Sequence, residues 1–416
     1  MAVTGLKRGV MPVARRSLIF ALLALLSACG GGDQSAAPTL RWYVAEEGSG
    51  AFETAARRCA EGSKGAFRIE LAPLPADADQ QREQLVRRLA ARDRDIDIMG
   101  MDVIWTPEFA QAGWILPWRG EAAARAREGR LAAPLQSAIY KGELWAVPFT
   151  TNAQLLWYRT DRVPKPPKTW DEMIDMAEAL GPQGTIQAQG ERYEGLTVFF
   201  VSLLASAGGD ALSLQEEAAF QALRIMKRFA TSTAADRSLA TSREDQARLA
   251  FESGNSSFMI NYSFVWASAR RNAPQIAARM GWARWPAAMA GNPSRVTVGG
   301  LNLGVSAHSR YPELAFQAAA CIASRENQRL AAERGGLPPT IEALFDEPEL
   351  QKAMPFGAVL RETLRDAVQR PQTPLYNDIS LAISRTLHPL RGIEPERDVP
   401  ALRKRIERAL RSEGLL

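Results

Sequence analysis

Asp102 and Trp105 stand three residues apart in the stretch 95–118, DIDIMGMDVIWTPEFAQAGWILPW. An ionised Asp only accepts hydrogen bonds, and an indole offers a broad apolar face. Together they suit a polyhydroxylated ligand, the carboxylate taking hydroxyl protons while the ring covers C–H faces. An Asp capping a turn beside a core Trp would look the same locally, so the surroundings must decide. Arg370, in the run RPQTP, adds a planar fork of donors that bridges two adjacent hydroxyls or pairs with Asp102 across a cleft. The amide of Asn152 both donates and accepts. Glu252 lies in the segment LAFESG just before a strand, where a solvated helix end is the plainer reading. Asp102 and Glu252 could also be the two carboxyls of a glycoside hydrolase, which need to stand about 5–9.5 Å apart. Nothing around either residue singles out an acid with a raised pKa. His308 and His388 are the only histidines and lie far apart, so neither a metal site nor a cofactor is expected.

These side chains need elements to hold them. An apolar strand over 96–101 turns into a helix beginning near Thr106-Pro107, with Pro at the first helical position. Asp102 therefore falls at a strand's carboxyl end, where open α/β sheets bind ligands. Before it come a strand at 39–44, a loop at 46–50, helix 52–60, strand 67–71 and helix 79–92. This β-α-β-α-β order implies a parallel sheet with right-handed crossovers. A hairpin over 140–148 enters a strand, Thr150-Thr151-Asn152 interrupts it, and 154–158 is another strand. Helices are expected at 195–210, 214–230, 242–253 and 311–333. Strands are expected at 256–260 and at 296–305, the latter broken by Gly299-Gly300. The chain beyond 349 is mostly helical. The fold class is α/β.

The first residues read as a targeting segment. Lys7, Arg8, Arg15 and Arg16 precede a short apolar core at 19–26, too short to span a bilayer. Leu26-Ser27-Ala28-Cys29-Gly30 resembles a bacterial lipobox, in which Cys29 is acylated and becomes the first mature residue. The expected parts are a signal peptide at 1–28 and a flexible lipidated tether at 29–38. More than one acyl chain gives stable membrane anchoring. The whole chain carries a formal net charge of +5, but residues 1–28 hold four bases and no acid, which leaves +1 on the remainder. No basic stripe remains to bind nucleic acid. Export also permits a disulfide between the two cysteines left, Cys59 and Cys321, with two buried thiols as the other reading. The 416 residues have room for two or three domains.

Four stretches together carry a resemblance: DIMGMDVIW at 97–105, VPFTTNAQLLWY at 147–158, GGLNL at 299–303 and RPQTPLY at 370–376. In that order they resemble the bacterial extracellular solute-binding proteins of carbohydrate ABC importers, with the nearest likeness to the trehalose/maltose-binding branch. The resemblance implies a two-lobe periplasmic-binding-protein fold of type II, similar to maltose-binding protein. It implies hinge crossovers near 148–153, 297–301 and 337–341. Residues 39–150 with 300–338 would form the N-terminal lobe, and 151–299 with 339–416 the C-terminal lobe. The implied role is a monomeric, non-enzymatic, membrane-anchored lipoprotein outside the cytoplasm. It would capture a disaccharide, trehalose or a maltose-type α-glucoside, and pass it to ABC permease transmembrane subunits served by a cytoplasmic ATPase. An exported lipoprotein of this fold that binds a non-sugar ligand or serves a structural role is the alternative.

The resemblance also assigns residues. An acid near Glu46 or Glu47 accepts sugar hydroxyls, and Asp102 is the carboxylate after the third strand. Asn152 reaches between lobes, and Gly300 and Leu301 bring backbone groups to the ligand. Tyr262 stands where the family often has a stacking Trp.

Overall fold

The structure is a computed structural model that describes residues 37–413. The expected signal peptide, Cys29 and nearly all of the tether lie outside the described residues. Two sheets organise the rest. The first is built from β1 (Thr39–Ala45), β2 (Arg68–Leu74), β3 (Ile98–Asp102), β6 (Val147–Asn152) and β11 (Gly299–Val305), in the order β2-β1-β3-β11-β6. Strands β1, β2 and β3 pair in parallel, as helical crossovers between consecutive strands require. Strand β11 returns from far along the chain and runs antiparallel between β3 and β6. A short hairpin, β4 (Ile139–Tyr140) and β5 (Glu143–Leu144), lies just before β6. The second sheet has β7 (Leu155–Arg159), β8 (Ile186–Gln187), β9 (Phe258–Asn261) and β10 (Met280–Arg284), in the order β10-β7-β9-β8.

Each sheet has its own core. Trp42, Phe52 and Phe149 pack together in the first, and Trp170, Trp285, Phe199 and Phe229 in the second. The helix Glu194–Ser206 is buried along its whole length, which is why its sequence is apolar on every face. Cys59, on helix Ala51–Gly62, is bonded to Cys321, on helix Pro312–Ile322, joining positions 262 residues apart.

Several expected boundaries move. Thr150-Thr151-Asn152 does not interrupt a strand: all three residues belong to β6, because Thr150 to Asn152 pair with β11 as far as Gly299. The break falls at Ala153-Gln154. The strand expected at 296–305 begins at Gly299, since Val296 and Val298 instead exchange backbone hydrogen bonds with Val368 at 2.9 Å. The strand expected at 256–260 is Phe258–Asn261. The helix expected at 311–333 is two helices, Pro312–Ile322 and Arg325–Gly335, because Ser324 caps the second through the Asn327 N–H.

Gly299-Gly300 marks where the chain passes from one core to the other. Val296 and Val298 belong to the second core, Leu303 and Val305 to the first. At Gly300 φ is 130°, and an added Cβ would stand 2.2 Å from the Thr150 carbonyl oxygen. The Gly300→Ala variant is therefore expected to lose about 1–3 kcal/mol of stability, read as a fall in the thermal midpoint; an unchanged midpoint would contradict the close approach.

Candidate functional site

Asp102 ends β3 and caps the turn Val103–Trp105, its Oδ1 accepting the Ile104 N–H at 3.0 Å. The same oxygen accepts from Arg370 Nη2 at 2.6 Å. Arg370 is only 3% exposed. Its other terminal nitrogen, Nη1, donates to Glu194 Oε1 at 2.7 Å. Glu194 opens the buried helix Glu194–Ser206 of the second core and also accepts from Tyr376 and Ser380. Ser380 is held in turn by Thr197, the hydroxyl oxygens lying 2.9 Å apart. One guanidinium thus ties the end of a first-sheet strand to the start of a second-core helix. Burial works against its charge, but Asp102, Tyr376 and Glu194 outweigh burial and hold it protonated.

The strand ends bring other expected residues to this edge. Leu301 of β11 pairs with both Asp102 and Thr150, and Gly300 precedes it. Asn152, the last residue of β6, pairs with Gly299, and its Oδ1 is buried with no hydrogen-bond partner. Tyr262 follows β9 directly. Burial, with Glu244 close by, pushes its hydroxyl well up, and Arg370, Asp102 and Glu194 lie within electrostatic reach. Trp105 is buried against Phe109, ring centroids 6.0 Å apart, so little of its face is left for a ligand. It still lines a narrow pocket with Asp79, Glu194 and Tyr376.

Three expected acids stand apart from the Arg370 cluster. Both oxygens of Glu47 serve the start of its own helix: Oε1 accepts from Ala51 N–H at 2.7 Å and Phe52 N–H at 3.3 Å, and Oε2 from Ser49. A carboxylate at a helix N-terminus satisfies orphan donors there, so both oxygens are already engaged within the protein. Glu46 is exposed just beyond β1. Glu252 pairs with Arg248, one helical turn back, at 2.8 Å. Its Oε2 is thereby held within its own helix, while Oε1 is buried with no hydrogen-bond partner.

The sequence reading missed Glu194 and Tyr376. A lone acid at the head of an otherwise apolar helix, YEGLTVFFVSLL, was the available signal for Glu194. It also missed Asp79, where loss of water and the Glu194 and Asp77 carboxylates push the carboxyl up to about 7. Among the described residues, no cluster of His, Cys, Asp and Glu could hold a metal ion.

Residues 69–329 match the family described as bacterial extracellular solute-binding protein. The chain belongs to that family. A probable ABC transporter-binding protein of Deinococcus radiodurans is 29% identical over 391 residues, covering 88% of this chain and 92% of that one. Among solved structures, the maltose-bound MalE3 of T. maritima superposes with a TM-score of 0.83 at 26% identity, covering 89% of this chain and 99% of that one. The GacH receptor of Streptomyces glaucescens superposes at 0.79 with 19% identity over 90% of this chain and 99% of its own, a likeness of fold alone. The solute-binding protein is an α/β two-lobe protein of the maltose-binding type, works outside the cytoplasm with an ABC transporter, and is not an enzyme. None of its described helices is long and apolar enough to cross a membrane.

Two outcomes test the electrostatics. Removing Arg370 leaves Glu194 buried and short of its cation, so Arg370→Ala is expected to cost about 3–5 kcal/mol, read by denaturant unfolding. A cost below 1 kcal/mol would mean the clamp is not formed in solution. Asp79 titrates above its ordinary 3.8, so the folded protein holds a proton there that the unfolded chain has released. Stability is lost as pH rises from the ordinary carboxylate range through about 7. Asp79 is an exposed residue, so water screens much of this effect and only a small part of it reaches stability. Asp79→Asn is expected to raise the thermal midpoint at pH 8 and leave it unchanged near pH 4. An equal effect at both pH values would sink this reading.

Proposed function

We propose that this solute-binding protein captures a disaccharide, trehalose or a maltose-type α-glucoside, between its two lobes and delivers it to the permease of an ABC importer. The observation that carries the reading is the Asp102–Arg370–Glu194 bridge, where the strand ends of one lobe meet the second. Around it lie groups that a polyol would satisfy. Arg370 Nε and Asn152 Oδ1 are buried without protein partners, a costly condition that ligand hydroxyls relieve. Tyr262, Leu301 and the backbone at Gly300 would supply apolar faces and close approach. The likeness to a maltose-bound protein supports a sugar of this size. The lobes would close by hinge motion at the crossings near Asn152, Gly299-Gly300 and the Pro338-Pro339 segment.

In this reading Cys29 carries the lipid that holds the protein at the membrane, and residues 30–38 tether the folded body. The protein works as a monomer, and the partners are the permease's transmembrane subunits and their cytoplasmic ATPase.

Isothermal titration of the purified body with trehalose, maltose and sucrose tests the proposal. One of the α-glucosides should bind, and Asp102→Asn, which removes a charged acceptor, should weaken binding by about 2 kcal/mol, or roughly thirtyfold. Absence of binding to every sugar in the panel would overturn the sugar assignment. Unchanged affinity in the variant would remove Asp102 from the site.

A further inference from the structure

A second arginine crosses between the lobes and takes no part in the Arg370 cluster. Arg243 precedes the helix Glu244–Glu252 of the second lobe. Its Nε and Nη2 donate to the two carboxylate oxygens of Glu191, each at 2.7 Å, a bidentate pair within that lobe. Its remaining nitrogen, Nη1, donates to Asp77 Oδ2 in the first lobe. The guanidinium also lies 4.8 Å from the centre of the Tyr193 ring. Asp77 has a task of its own, capping the helix Ala78–Ala90 through Oδ1 and the Gln80 N–H at 2.8 Å. One oxygen therefore holds its helix and the other reaches the opposite lobe.

The pair is sheltered enough to matter. The Asp77 side chain is 10% exposed and that of Arg243 29%, far from the open surface pairs that contribute little. Its place in the charge pattern gives the reason for it. Glu194 of the second lobe and Asp77 lie close enough to Asp79 to raise it, and Asp102 does the same to Glu194, so like charges meet between the lobes. Two arginines offset this with one design: Asp102–Arg370–Glu194 in the interior and Asp77–Arg243–Glu191 beside it. In each, one arginine is shared by a second-lobe Glu and a first-lobe Asp.

We propose that Asp77, Arg243 and Glu191 form a latch that holds the closed arrangement and sets how long a captured ligand stays, without touching the ligand. The proposal rests on the reading above that the lobes close around their ligand. Because the latch forms after encounter, it acts on release rather than on association. Because it is partly open to water, salt weakens it.

Asp77→Asn is the informative substitution, since Asn caps a helix as well as Asp does but carries no charge. Arg243→Gln tests the other half. Single-molecule energy transfer between dyes on the two lobes would measure the closed fraction without ligand, in low and high salt. The wild type should lose closed population as salt rises. Either variant should start about fivefold lower and respond less to salt. In parallel, stopped-flow tryptophan fluorescence would follow release of trehalose and of maltose, with release from the variants about five- to twentyfold faster and association within twofold of wild type. A closed fraction that is the same in wild type and both variants overturns the latch, whether or not a sugar binds. Loss of closed population in the variants with no sugar bound by any form would leave the latch standing and overturn the disaccharide reading instead.

Discussion

The buried charge of Arg370 is the constraint on which the rest of the cleft depends. A guanidinium taken out of water costs several kcal/mol unless its charge and donors are matched. Here two carboxylates and a tyrosine ring surround it, and each comes from a different part of the chain. Asp102 must sit at the end of β3, Glu194 at the head of a helix with no solvent face, and Tyr376 on a helix more than a hundred residues later. Beside the apolar contacts that Leu131, Ala332 and Tyr376 make across the lobes, a buried charged bridge thus joins them. A hydrophobic interface would hold them together regardless of ligand. A charged bridge can be made and remade, and its polar groups also suit hydroxyls.

Much of this could be read from the sequence, and the reasons are local. The parallel start of the first sheet followed from alternating apolar strands and amphipathic helices with clear punctuation. Asp102 was found because Thr106-Pro107 marks a helix start, which places the preceding residues at a strand's end. Arg370 stood out because a charged fork inside a proline-rich run has few surface reasons to exist. The two-lobe plan came from the resemblance, since periodicity carries no information about which strand returns to which sheet.

What could not be read is long-range. Glu47 looked like a free acid on a glycine-rich loop, and only the fold shows that Gly50 turns the chain so that the next helix presents its N–H groups to that carboxylate. Glu252 read most plainly as a solvated helix end, and only the fold shows it buried and paired with Arg248 one turn back. Glu194 and Asp79 matter through each other, and they are 115 positions apart. Ser324 caps the second of the two helices that share the span expected as one.

The bond between Cys59 and Cys321 has a topological meaning beyond stability. The first core is assembled from chain on both sides of a long excursion that builds the whole of the second sheet. With the cysteines joined, everything from position 59 to 321 is one covalent ring, and the excursion is a loop of that ring. A single cut anywhere in the exposed turns of the second lobe before residue 321 would open the ring without releasing a fragment. Damage of that kind leaves one molecule with both halves of its first lobe still attached.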